Sequence, residues 1–293
     1  FEASVGGGIP IIRPLHSCLA ANRIEEVIGI LNGTTNFILT KMFREGMSFE
    51  SALALAQRLG YAERDPAADV EGHDACRKIC ILASLAFGEH VYPHDVSAEG
   101  ITKITSEDVA YAASCGCVIK LIGAARRGEG GKRMTAYVAP AFINRETQLG
   151  TIDDVFNGIL VRGDATGDVV FYGKGAGKLP TASAVVSDMI ACAKADGSSA
   201  SMSWKPSQGG NVAPQGDHVT AMYLRCRAFE TNALEEAVKI FGKVKALSRP
   251  DKPTNEAAFI TPALTEREID DVCGKLAAAG VDILGKIRVL ADQ

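Results

Sequence analysis

The sequence predicts an α/β (α+β) protein, and three observations carry that expectation. Within residues 1–100 one strand-like segment, 24–31, is followed by three helix-like stretches ending near Phe87. The stretch 101–172 turns strand-rich, and the last 75 or so residues read βαββαβ, the order of a compact ferredoxin-like unit. Taken in order, residues 1–14 form a Gly-rich turn followed by the apolar segment Ile9-Pro10-Ile11-Ile12, and 24–31 (IEEVIGIL) reads as a strand. Asn32-Gly33-Thr34-Thr35-Asn36 opens an amphipathic helix through about Arg44. Ser48 caps the next helix, with Glu50 in its first turn and Gly60 just past its end. A polar loop over 61–72 leads into a helix from about Asp74 to Phe87. VIKLIGAARR, RMTAYVAPAFI and NGILVRGDATGDVVFYG supply strands interrupted by turns. Gly173 to Gly177 make a second Gly-rich turn before a helix to about Ala195, and 196–216 reads as a linker, rich in Ser, Gly, Pro and Gln. Beyond it come the strand HVTAMYLRCRA, a helix over 232–242 and strands near 244–248 and 257–261. A second helix, capped by Thr265 and ended by Gly280, precedes a strand over 283–290.

A chain of 293 residues accommodates two domains. Its 47% hydrophobic and 23% charged residues are ordinary for a soluble globular protein, and a net charge of −4 gives no footprint for nucleic acid or an anionic membrane. No apolar run approaches the roughly 18 residues of a membrane-spanning helix. The chain opens on Phe1 without a signal-like segment and reads as an excised fragment. Eight cysteines raise the question of disulfides or a metal, but their spacing argues against both. Cys76 and Cys80 lie one helical turn apart, Cys115-Gly116-Cys117 is too tight for a zinc knuckle, and the five histidines form no ligand cluster. Reduced structural thiols in a cytoplasmic protein are expected.

The most informative segment runs from Gly60 to Lys78, GYAERDPAADVEGHDACRK. It gathers carboxylates, a histidine and a lysine around a Pro-anchored loop and a helix start. Asp74 and Lys78 stand at i and i+4, so both project from one helix face. Composition alone favours a loop of solvated acids followed by an ordinary surface ion pair over a functional site, and the two Gly-rich turns elsewhere are what lift the functional reading.

That segment resembles the signature of homoserine dehydrogenases, and EASVGGGIPII, LNGTTNFIL and FYGKGAGKLPTASAVVSD fit the same family in the same order over residues 2–188. The resemblance implies a mixed-sheet substrate and dimerisation domain over 1–165, a segment at 166–196 that returns to a nucleotide-binding domain, a linker at 197–216 and an ACT-like regulatory domain over 217–293. It implies interconversion of L-homoserine and L-aspartate 4-semialdehyde with NADP or NAD, in threonine and methionine biosynthesis. Reducing an aldehyde requires a proton on oxygen as hydride reaches carbon, and Lys78 matches the family's donor, with Asp74 one turn away to hold it. Glu63, Asp69, Gly33, Thr34 and Tyr61 match substrate-binding positions. Gly173, Gly175, Ala176, Gly177 and Thr181 match the segment that touches the dinucleotide. Glu2, Val5, Gly7 and Ile9 match a monovalent cation site, with sodium as its occupant, built mainly from backbone carbonyls. His73 falls where the family pattern is variable and is given no role.

The resemblance also implies a homodimer or homotetramer, and threonine as an effector of the C-terminal module. There the usual Asp-x-Pro-Gly turn is replaced by Glu230-Thr231-Asn232-Ala233. The family's first βαβ units, and a second active-site lysine they carry, do not appear in this sequence, so the chain by itself is expected to be inactive. A different class of function, a non-catalytic amino-acid sensor built on the C-terminal module, would show no dependence on Lys78.

Overall fold

The computed structural model describes residues 1–128, 130, 133–195 and 202–290. Local signals in the sequence set most of the element ends. Strand β1 (Ile24–Ile30) is followed by α1 (Gly33–Glu45), whose start is fixed by the Asn32 side chain accepting from the Thr35 N–H and whose end is fixed by Gly46 in the left-handed region. Helix α2 (Phe49–Arg58) begins at the Ser48 cap. The polar loop contains a single turn, α3 (Ala67–Val70), before α4 (His73–Phe87), which closes on Gly88. After the two-residue strand β2 (Ser97–Ala98) comes α5 (Ser106–Ser114).

Helix α5 lies inside the stretch that reads as strand-rich and corrects that reading. Thr105 and Asp108 form a reciprocal capping box, satisfying two N–H groups at the helix start, and that local device overrides the β-rich surroundings. Strands β3 (Cys117–Arg126), β4 (Thr135–Asn144), β5 (Phe156–Gly163) and β6 (Gly167–Lys174) then alternate antiparallel around β1, and α6 (Lys178–Lys194) follows.

The C-terminal unit comprises β7 (Val219–Ala228), α7 (Ala233–Phe241), β8 (Lys245–Leu247), β9 (Glu256–Ile260), the short β10 (Leu264–Thr265), α8 (Glu266–Ala278) and β11 (Val281–Val289). Its sheet order, β11-β7-β9-β8 with antiparallel neighbours, is that of a ferredoxin-like unit, as the βαββαβ pattern predicts. The two parts share one mixed sheet of order β6-β5-β1-β3-β4-β11-β7-β9-β8. The joint is parallel: Arg288 and Val289 pair with Ala141 and Phe142, and the Leu290 N–H donates to the Phe142 carbonyl at 2.9 Å.

Alternation along the strands divides the core by face. Val27, Leu121, Val138 and Phe142 pack with Ile38, Ile79 and Leu82 of the helices. Ile28, Ile30, Ile122 and Leu160 face the other way and are covered in part by Leu149 and Ile152. A separate cluster, including Leu224, Phe259, Ile269 and Leu276, holds α7 and α8 on the C-terminal part of the sheet.

The stretch read as a linker is held to the first part by backbone bonds. Residues 196–201 lie outside the described residues. From there on, the His90 N–H donates to Lys205 at 2.9 Å, the Lys205 N–H to Gly88 at 3.0 Å and the Ala213 N–H to Met134 at 2.7 Å. The Trp204 indole meets the His90 ring nitrogen at 2.7 Å. Composition marks a linker because Ser, Gly and Pro disfavour helix and strand, but it does not record where the backbone groups find partners.

His218, at the start of the C-terminal unit, is buried beside Glu266 and Arg288, with the Tyr137 ring 5.7 Å away. Burial holds its pKa below the ordinary value of 6.5, outweighing the carboxylates of Glu266 and Asp217, while Arg288 pushes in the same direction as burial. Below pH 6.5 the unfolded chain therefore takes up a proton that the folded chain refuses, and stability falls as the pH drops toward the folded pKa. Melting temperatures from pH 7 to 5 should decline less steeply in a His218→Leu variant than in the parent; equal slopes would refute this.

Candidate functional site

Four segments meet at the N-terminus of α1. Lys78, one turn into α4, extends its ammonium to Asp74 Oδ2 at 2.7 Å and to the Leu31 carbonyl at 3.0 Å. An ammonium carries three N–H donors, and these two contacts occupy two of them among the described residues. One donor remains for a ligand, on a side chain that is still 20% exposed. Asp74 sits in the first turn of α4, where the helix dipole also favours its negative charge.

The residue that ties the site together is Asn32, which the sequence reading passed over as part of a turn. Its amide donates to Asp69 Oδ1 at 2.8 Å and to Asp74 Oδ2 at 3.0 Å, while its carbonyl accepts from the Thr35 N–H at 2.9 Å. One buried side chain thus caps α1 and aligns two carboxylates from different helices. An Asn before Gly-Thr-Thr is a recognisable cap, but nothing in the sequence names partners 37 and 42 residues away. Thr34 donates to the Tyr61 carbonyl at 2.7 Å, and the Tyr61 ring packs edge-on against Phe37, with centroids 5.0 Å apart. Lys78, Asp74, Asp69, Gly33, Thr34 and Tyr61 are therefore brought together. Glu63, two residues beyond Tyr61, is exposed, and among the described residues its carboxylate bonds to no group of this chain.

The glycine at 33 has a packing reason. A Cβ there would lie 2.7 Å from the Val155 carbonyl oxygen, in the loop before β5. Lys120, buried on β3, anchors that loop through the Ile152 carbonyl and Asp153, and anchors α1 through Asn36.

The two Gly-rich turns pack directly on each other. Gly7 adopts φ +54°, and a Cβ on it would fall 2.3 Å from the Gly175 carbonyl oxygen. A Cβ on Gly175 would meet the buried Asn157 amide at 2.1 Å. The Gly8 N–H donates to the Lys174 carbonyl at 3.2 Å. Backbone-to-backbone contact between the turns thus requires glycine at 7 and 175 before any ligand is considered. Gly177 precedes α6 at φ +122° without a side-chain cap, and the Thr181 N–H bonds to its carbonyl. Ala176 lies in the same turn, whereas Gly173, expected to open it, is a residue of β6 paired with Asn157, because the β5–β6 ladder runs on to Lys174.

Glu2 is buried, and its carboxylate accepts from the N–H groups of Ile11, Ile12 and Arg13 at 2.7, 2.8 and 2.9 Å. That side chain is thereby committed to the chain itself. The Gly6 carbonyl accepts from the Ile9 N–H, whereas the carbonyls of Val5, Gly7 and Ile9 accept no hydrogen bond among the described residues. Open carbonyls in a tight turn fit a hard cation.

A mixed sheet flanked by helices carries, beside a polar loop, a lysine ammonium held by one carboxylate and one backbone carbonyl, an arrangement able to donate a proton. The family model described as homoserine dehydrogenase matches residues 10–190. The homoserine dehydrogenase of Synechocystis sp. is 53% identical over 191 residues, covering 64% of this chain and 44% of that protein. The crystal structure of a homoserine dehydrogenase from Thiobacillus denitrificans superposes with a TM-score of 0.88 at 37% identity, covering 99% of this chain and 69% of the other. A hyperthermophilic archaeal homoserine dehydrogenase mutant in complex with NADPH matches with a TM-score of 0.55 at 30% identity, over 65% of this chain and 54% of that one.

The chain belongs to the homoserine dehydrogenase family. It spans about half the length, or less, of relatives such as the Synechocystis protein.

Proposed function

We propose that this chain supplies the substrate site and the proton-delivering lysine of an NAD(P)-dependent homoserine dehydrogenase, which interconverts L-homoserine and L-aspartate 4-semialdehyde. The observation that carries the reading is the single open N–H of Lys78, held by Asp74 and the Leu31 carbonyl beside carboxylates aligned by Asn32. When bound, the nicotinamide supplies the hydride to the aldehyde carbon. Lys78 places a proton on the aldehyde oxygen in reduction and takes it back in oxidation. Glu63, with its free carboxylate, and Asp69 receive the substrate's α-ammonium. The α1 N-terminus at Gly33 and Thr34 faces the substrate carboxylate, where helix N–H groups favour an anion.

The dinucleotide reading of Gly173, Gly175, Ala176, Gly177 and Thr181 draws support from α6. Its N-terminus is open, and it leaves Leu179, Met189 and Ile190 exposed at 78%, 64% and 51%, as expected of a helix that packs against a nucleotide-binding domain. The turn at Val5, Gly7 and Ile9, with Glu2 bracing it, holds sodium through its carbonyls. The domain limits follow the same reading with one change: β6 pairs with β5, so the dimerising sheet expected over 1–165 runs on to about 174, and the ACT-like module spans 217–293. Threonine as effector is favoured by a cavity of about 490 Å³ between the β7–α7 and β8–β9 loops, lined by Thr231, Asn232, Lys252 and Asn255. Among the described residues no helix is long and apolar enough to cross a membrane, which accords with a cytoplasmic biosynthetic enzyme.

The test is NADPH oxidation with L-aspartate 4-semialdehyde. The chain alone should show none, and a fusion to the nucleotide-binding segment of the Synechocystis relative should show turnover. A silent fusion that binds NADPH would overturn the assignment; turnover by the chain alone would overturn its dependence on that segment.

A further inference from the structure

Cys115 and Cys117 serve no part of the site described above. Cys115 follows the last residue of α5, Cys117 opens β3, and Gly116 between them takes φ +78°, a left-handed turn that folds the chain back. The Cys117 Sγ lies 3.9 Å from the carbonyl of Cys115, so its sulfur is directed back along the chain rather than out along the strand. Both cysteines line one cavity of about 410 Å³ at the seam between the two parts of the molecule. Two cations, Arg145 and Lys245, and one carboxylate, Glu146, line it as well, with Ile260 and Leu290. Neither cysteine is fully buried, unlike Cys76, Cys80 and Cys226, so a small reagent can reach them.

The cavity wall also tunes the pair. The Cys117 thiol hydrogen-bonds to Cys115, and with Lys245 it outweighs burial, bringing the Cys115 pKa down to about 7. The carbonyl end of α5 opposes an anion at this position, which makes the neighbouring thiol and the lysine the groups on which the thiolate depends. At neutral pH a large share of Cys115 is therefore thiolate, the form that attacks disulfides.

We propose that Cys115 and Cys117 form a thiol–disulfide exchange site for low-molecular-weight anionic disulfides, with Cys115 as the attacking thiol and Cys117 as the resolving one. Arg145 and Lys245 offer cationic contacts to the carboxylates of such a disulfide, of which oxidised glutathione is the simplest example. In the first step the Cys115 thiolate attacks one sulfur of the disulfide, forming a mixed disulfide and releasing one small thiolate. In the second step Cys117 gives its proton to the small thiolate released in the first, and its sulfur attacks the Cys115 sulfur, releasing the other small thiolate and closing a Cys115–Cys117 disulfide. Two protein thiols lose two electrons, and one external disulfide gains them.

The test uses the whole chain with its eight cysteines reduced. Iodoacetamide at pH 7, read by peptide mass mapping, should alkylate Cys115 a few-fold (~3-fold) faster than the exposed Cys18 and Cys192, because a higher thiolate fraction outweighs a lower intrinsic nucleophilicity. With oxidised glutathione, Cys117→Ser should accumulate glutathione on Cys115, whereas the unsubstituted chain should end with an internal disulfide and no adduct. Faster alkylation of Cys18 or Cys192, or Cys117→Ser remaining free of adduct at Cys115, would overturn the proposal.

Discussion

Replacing Lys78 with alanine in the complete enzyme is expected to lower kcat by about 10²- to 10⁴-fold, the range that a positioned proton donor contributes. Dinucleotide affinity should hardly change, because the contacts of the Lys78 ammonium run to Asp74 and the Leu31 carbonyl and to no residue of the Gly175–Gly177 turn. Lys78→Arg sharpens the test. It keeps a cation that can pair with Asp74, but a guanidinium does not release its proton near neutral pH, so turnover should stay low while the fold is kept. The measurements are steady-state kcat with aspartate semialdehyde and NADPH affinity by titration. A variant retaining more than about a tenth of parental kcat would leave the lysine without its proposed role.

Replacing Arg225 with methionine should cost about 3–5 kcal/mol, the usual consequence of removing one partner from a buried ion pair. Arg225 donates to Asp108 Oδ1 at 2.9 Å and to Thr105 Oγ1 at 3.1 Å, and it lies 3.5 Å from Glu256 Oε2. Asp108 is 1% exposed and Glu256 6%, so neither carboxylate can recover hydration once the guanidinium is gone. Tyr223 and Tyr111 hydrogen-bond to the same two carboxylates, and Arg249 reaches Glu256 at 2.9 Å, so the loss is shared rather than total. In a chain of this size the cost corresponds to a fall in melting temperature on the order of 10 °C. Adding Asp108→Asn should recover part of it, since the stranded charge is removed. A fall of less than about 2 °C in the single variant would mean that water enters the network and screens it.

The acidic loop and the lysine were legible in the sequence because their geometry is local. A helix places residues four apart on one face, so Asp74 and Lys78 could be paired before any fold was known. The role of Asn32 was not legible, because it depends on hydrogen bonds to residues more than 30 positions away. The glycines show the same divide. Gly33, Gly7 and Gly175 were assigned to ligands from their motifs, whereas the structure gives each a neighbour that a Cβ would strike, Val155, Gly175 and Asn157 respectively. Among the elements, the ferredoxin-like unit was readable from alternation and caps. Helix α5 was missed although Thr105 and Asp108 carry a cap signal, because nine residues between β-rich stretches give too short a helical period to stand out. The 202–216 stretch was read from composition, and composition is silent about backbone pairing.

The parallel joint between β4 and β11 sets the mechanical character of the molecule. A lobe on a flexible tether can swing while its neighbour stays still, but two lobes that share a hydrogen-bonded beam cannot. Peeling β11 away would unpair Ala141 and Phe142 of β4, whose opposite side carries β3 and the anchoring Lys120. Loosening at either end is thus paid by both, and the halves should lose their order together, as a single cooperative block.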